Sequence, residues 1–207
     1  FHIGGNPDRV MEVADTWLKL ADALESTAAD MASMDTQAFL GHEADMYRVN
    51  LNGYIPNQGI TLSLLHGAVG EDISSYGDLL AHCLAEMWML VHERARPDHA
   101  ALQEAITEFN AAETNAIAAR EHAVLMESMA LANPAMVPAA VAAEDAAVIA
   151  EGLKDEAERH YKAMFKNWEM DRTEAKNLKE KLGNEVGLLA ARINAYEKTK
   201  VQDGRFV

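Results

Sequence analysis

Eight histidines and thirty-three acidic residues raise the question of a metal centre first. In a helical protein a di-iron site is built from Glu-x-x-His pairs on facing helices. No Glu-x-x-His occurs here, and neither does His-x-x-x-His or His-Glu-x-x-His, so a helix-borne zinc site also lacks its usual spacing. The nearest approaches are His82 with Glu86 and Glu156 with His160. Such i,i+4 pairs make surface contacts on a helix. The expected metal content is none.

Nucleophilic chemistry fares no better. There is no Gly-x-Ser-x-Gly elbow, and the lone Cys83 has only His82 beside it, which on a helix points another way. A single thiol in an apolar helical run reads as a buried small residue. "HIGGNP" sets two glycines before a helix start and so could receive an anion, but it lacks the strand and the lysine of a nucleotide loop. It reads as capping geometry. The acid pairs Glu71-Asp72 and Glu144-Asp145 read as solvated faces. No catalytic residue and no cofactor is expected, and the chain is read as a non-enzyme.

What would these residues be mounted on? Apolar residues make up 49% of the chain and only five prolines interrupt it. Alanine, leucine, methionine and glutamate dominate, side chains that lose little rotamer freedom in a helix. The net charge of −15 repels a phosphate backbone, so nucleic acid is not an expected partner. The excess is uneven, with twelve Lys or Arg against ten Asp or Glu from Lys154 onward. The most apolar stretch, "LANPAMVPAAVAAEDAAVIA", carries two prolines and an acidic pair, and no membrane insertion is expected. No basic-then-apolar leader opens the chain.

"GGNPDRVMEV" marks a helix start: Asn6 can cap, Pro7 fits the first helical position and Asp8 complements the dipole. Val10, Val13, Trp17, Leu20, Leu24, Ala28 and Met31 follow at steps of three and four, predicting one apolar stripe that ends near Met34. Helix resumes from Gly41 to about Asn52. Pro56 then interrupts or kinks it, and a long amphipathic run continues from Leu62 to Val91. Pro97 is expected to stop that helix. A third run reaches about Leu131, "NPAMVP" breaks it, and a fourth begins at Ala139. Within the fourth, Ala157, Tyr161, Met164, Trp168, Ala175, Leu178, Leu182, Val186, Leu189, Ile193 and Tyr196 form a seam of coiled-coil character, weakened at Gly183 and Gly187. No segment alternates as a strand does. The expected fold is all-α, an elongated helical bundle of two consecutive long antiparallel hairpins, residues 1–95 and 96–207.

The turn "AFLGHEADMY" carries a resemblance. Phe39-Leu40-Gly41 takes the place of Trp-x-Gly, Ala44 matches the small residue one turn on, and Tyr47 matches the aromatic that follows. In these positions the chain resembles the WXG100 family and the related N-terminal signal domains of actinobacterial type VII secretion (ESX) substrates. The flank "GGNPDRVMEVADTWLKLADALESTAADM" is similar to the opening of that signal domain, and "YGDLLAHCLAEM" to its closing helix. "HYKAMFKNWEMD", with Trp168 and Asp171, is similar to a second helical segment that follows the hairpin. The likeness is strong to about Ala95 and looser beyond. Two departures stand out. Phenylalanine replaces the tryptophan and loses the indole donor. The Tyr-x-x-x-Asp/Glu export signal is also absent, since each tyrosine is followed four residues later by Leu, Gln, Leu, Phe or Lys.

The resemblance implies a targeting and interaction module of a secreted polymorphic toxin. It would be made in the cytoplasm and exported through the type VII machinery, with the effector domain beyond residue 207. Its partners would be small WXG100-like helical proteins or a second copy of itself, and the missing signal would lie on such a partner. Within the turn, Gly41 would let two helices approach closely and Phe39 would plug the gap between them. Trp17, Tyr161, Trp168, Leu182 and Leu189 are the candidate partner or packing surface. The rival expectation is a secreted coiled-coil scaffold that assembles on itself.

Overall fold

A computed structural model describes residues 2–38 and 40–202, with side chains as far as residue 196. The helices are α1, Pro7–Ser33; α2, His42–Val49; α3, Ile55–Met89; α4, Arg96–Ala132; and α5, Val137–Gln202. No strand occurs among the described residues, and the fold is all-α as expected. Asn6 caps α1 by accepting the Arg9 N–H at 3.2 Å, Pro7 opens the helix, and Met34 closes it. Asn133 leaves the helical region after α4, and its side chain caps the short 3-10 turn Pro134–Met136 that leads into α5. These boundaries fall where the capping residues placed them.

Pro56 and Pro97 behave differently. Neither stops a helix. Wide π-helical turns, Asn50–Tyr54 and Leu90–Ala95, join α2 to α3 and α3 to α4 without a break. Each proline lies two residues beyond such a turn. The residue just before it donates five residues back, Ile55 to the Asn50 carbonyl and Arg96 to the Val91 carbonyl. In a regular helix the proline ring strikes the carbonyl four residues earlier. Those carbonyls belong to Asn52 and Glu93, both inside a widened turn that makes room for the ring.

Packing divides the chain into residues 2–86 with the stretch from 178 onward, and residues 87–177. This differs from the boundary expected at 95/96, because α5, at 66 residues, supplies helix to both units.

In the first unit α1 lies antiparallel to α3. Ala28 meets Gly59, Ala21 meets Gly67, Leu18 meets Gly70 and Met11 meets Gly77. A methyl group added at Gly59 would lie 2.9 Å from the Ala28 Cβ, and one at Gly70 would lie 2.8 Å from the Leu18 side chain. At such a spacing glycine on α3 makes room for Ala21 and Ala28 and also for the longer Leu18 and Met11. Ala14, Ala21 and Ala28 are the buried residues of α1, with Leu18 and Met11 half-buried. Of the stripe expected to be buried, Ala28 is buried and Val10, Trp17, Leu24 and Met31 are half-buried, whereas Val13 and Leu20 sit beside the contact line, 49% and 44% exposed. Leu80 and Cys83 are fully buried in the same unit, and Leu182 of α5 is buried there too. Asp72 fastens α5 by accepting from the Tyr196 hydroxyl at 3.3 Å and pairing with Arg192 at 3.4 Å.

In the second unit α4 lies antiparallel to the first part of α5. Ala123 packs with Ala143 and Ala147, Arg120 pairs with Glu144, and Phe109 stacks on Tyr161. The coiled-coil character of α5 is present. Ala157, Tyr161, Met164, Trp168, Asp171, Ala175, Leu178 and Leu182 alternate at steps of four and three, and none is fully exposed. The period continues to Glu185 and Leu189, leaving Val186 45% exposed rather than in the seam. Gly183 and Gly187 do not interrupt the helix.

Candidate functional site

The motif turn is built by α1 handing over to α2. Helix ends leave carbonyls without intrahelical donors. Here later side chains supply them: Asn52 donates to the carbonyls of Ala32 at 3.2 Å and Met34 at 2.9 Å, and Arg48 donates to that of Thr36 at 3.2 Å. Arg48 is held in place by Asp45 at 2.7 Å. These staples went unread in the sequence, although a polar side chain one or two turns after a loop is the signal that finds them.

Gly41 caps α2 with φ +107°, a conformation that side-chain-bearing residues rarely adopt. The expected close helix approach at Gly41 is corrected, since a Cβ there would meet nothing within 4 Å. The glycine serves the backbone turn, and the close approach lies at Gly59 and Gly70. Ala44 is buried and Tyr47 is about half-exposed. Phe39, expected to plug the turn, lies outside the described residues.

The five residues of the candidate partner or packing surface fall in both units. Trp17 is half-buried, with its ring 5.1 Å from that of His66. Leu182 is buried and Leu189 half-buried, both in the first unit. Tyr161 and Trp168 belong to the second unit, in an aromatic ladder that runs Phe109, Tyr161, Phe165, Trp168, with Arg172 over the last ring at 5.7 Å. Tyr161 and Trp168 are thus spent largely on packing within the chain. Trp168 also borders an open cavity of about 230 Å³ lined by Val91, Ala95, Arg96 and His99.

One turn on from Trp168, Asp171 occupies a seam position and is 1% exposed. Its Oδ1 receives Nη2 of Arg94 at 2.6 Å, while Nη1 of the same guanidinium meets Glu174 at 2.9 Å. Oδ2 is buried and accepts no hydrogen bond from any described residue. Burial works against the Arg94 charge. The hydrogen bonds and charges of Glu174 and Asp171 outweigh it and hold the guanidinium above its ordinary range. Arg94 comes from the second wide turn, so the π-helical turn aims the cation at the seam. Sequence reading quoted Asp171 but did not assign it a partner, because the acceptor and donor stand 77 residues apart.

His82 pairs with Glu86 at 3.1 Å, as expected. His160 instead turns across to Glu108 at 3.1 Å rather than along the helix to Glu156. Burial pushes the Cys83 thiol above its ordinary range, helped by Glu86 and opposed by Lys181. Among the described residues, no group of three or more His, Cys, Asp or Glu side chains could hold a metal ion, and no helix is long and apolar enough to cross a membrane. Compared with family models, curated proteins and solved structures, the chain matches none.

Proposed function

We propose that this chain is a non-enzymatic targeting and interaction module of a type VII secretion substrate. It binds a small helical partner and directs export of a C-terminal toxin domain. The observation that carries the reading is the division of labour on α1. Ala21 and Ala28, with Leu18 and Met11, take up the contact with α3, and Ala14 is buried as well. Val13 and Leu20 are left about half in water, on either side of Trp17. An apolar stripe on a helix that has already used its neighbour is suited to a helix from another chain. The positive-φ Gly41 turn and the buried Ala44 support the same reading, since they sit where the resemblance puts its turn.

Co-expression with small helical proteins encoded beside this chain tests it, with molar mass read by light scattering. A discrete complex with such a protein supports the proposal. A monomer that is exported unaided contradicts it. A large homo-oligomer supports the rival, a self-assembling secreted scaffold.

A further inference from the structure

The second unit carries a groove of its own. Between α4 and α5, Ala123, Ala143 and Ala147 form the buried cluster, and alanine removes little area from water. Ala119 and Met126 pack against it, partly buried, and a two-helix contact dominated by alanines leaves other large flanking residues outside. Two adjoining hollows, about 500 Å³ and about 340 Å³, run along one flank and share Arg120 as a common wall. Their larger apolar lining residues are Ile117, Val124 and Val141, each more than half exposed, above a floor that includes the buried Ala116 and Ala123. In α4, Ile117 and Val124 stand seven residues apart, one coiled-coil repeat, so they present along a single line.

The charge around these hollows says what fits them. They are walled by six carboxylates and only two cations, Arg120 and Lys154. Arg120 is already engaged by Glu144 at 3.1 Å. A second copy of the hairpin would set six carboxylates against six, and an anionic lipid surface or nucleic acid is repelled for the same reason.

We infer that this groove receives one helix of a partner protein, apolar along its centre and flanked on both edges by Lys or Arg. The helix completes a three-helix contact that α4 and α5 cannot complete alone. The partner's apolar residues cover Ile117, Val124 and Val141, and its cations meet the carboxylate rims. This site is in residues 87–177, whereas the export reading concerns α1, and the two stand or fall separately.

The test uses the full chain and two synthetic helical peptides with the same leucine seam. One is flanked by lysine and the other by glutamate. Fluorescence anisotropy is expected to show saturable binding of the lysine peptide, weakened by salt, and at least about tenfold weaker binding of the glutamate peptide. The double variant Val124→Ser/Val141→Ser is expected to lose about tenfold in affinity for the lysine peptide. Both residues are more than half exposed, so its circular dichroism should match the parent. Equal binding of both peptides, no saturable binding of either, or unchanged affinity in the double variant would overturn the inference. So would a homodimer that disappears in that variant, because the occupant would then be a second copy. Export of the chain despite no peptide binding sinks this inference alone, and peptide binding without export sinks only the secretion reading.

Discussion

Arg94 meets Asp171 at 2.6 Å, and the carboxylate it meets occupies a coiled-coil seam position that hydrocarbon normally fills. One cation from a widened helical turn thus sustains one acid in the interior. The pair is asymmetric. Asp171 is buried, while Arg94 is about half exposed and keeps Glu174 as a second partner at 2.9 Å.

That asymmetry predicts opposite outcomes for the two partners. Arg94→Ala strands a buried carboxylate and should cost about 3 kcal/mol, the lower end for such a loss because water can reach the vacated position. Asp171→Leu returns a hydrocarbon knob to the seam and strands nothing. It should leave stability unchanged or raise it by about 1 kcal/mol. Urea unfolding of both variants checks this, and a neutral Arg94→Ala would contradict it.

The α1–α3 contact predicts which glycines tolerate a methyl group. Gly59→Ala and Gly70→Ala press on Ala28 and Leu18 and should each cost about 1–3 kcal/mol. Gly41→Ala meets open space but forces alanine to φ +107°, costing about 1–3 kcal/mol through the backbone alone. Gly152→Ala, in α5 with nothing within 4 Å, should gain roughly 0.5–1 kcal/mol. Thermal melts of the four variants give the ranking directly.

Cys83 predicts an alkaline limb. Its thiol is raised above 9.0 in the folded chain, chiefly by burial, so the folded state holds the proton more tightly than the unfolded one. The resulting stability is complete below the unfolded thiol value and is lost as pH rises through the folded one. Unfolding free energy should therefore fall above about pH 9 more steeply in the parent than in Cys83→Ala. Tyr196, raised by burial and by Asp72, contributes to the fall in both proteins, so the difference isolates the thiol. Native protein near neutral pH should resist a thiol reagent that labels it at once after unfolding.

Much of the fold was legible because its signals are local. Asn6 followed by Pro7, Asn133 followed by Pro134, and the four-three period of α5 act within a turn or two of themselves. What escaped depends on distance in the chain. The wide turns that accommodate Pro56 and Pro97 are absent from any propensity, and a proline read alone says stop. The α1 stripe was drawn through Val13 and Leu20 as well as Val10, Trp17, Leu24, Ala28 and Met31, and only those first two are left exposed. Gly59 and Gly70, far along the chain, bring α3 so near that the alanines take the interior. At the candidate site the turn glycine was found but its role was misassigned. Of the candidate partner or packing residues, Leu182 is buried within the chain.

The export proposal is tested most directly with a reporter enzyme fused after residue 207, in cells with a working type VII apparatus, with and without a co-expressed small helical partner. The account predicts reporter outside the cells only when apparatus and partner are both present. It also predicts that Val13→Gln/Leu20→Gln abolishes export while shifting stability by less than about 1 kcal/mol, since both side chains are already about half in water. Reporter that stays inside under every condition, or that leaves equally well without the partner, would contradict it.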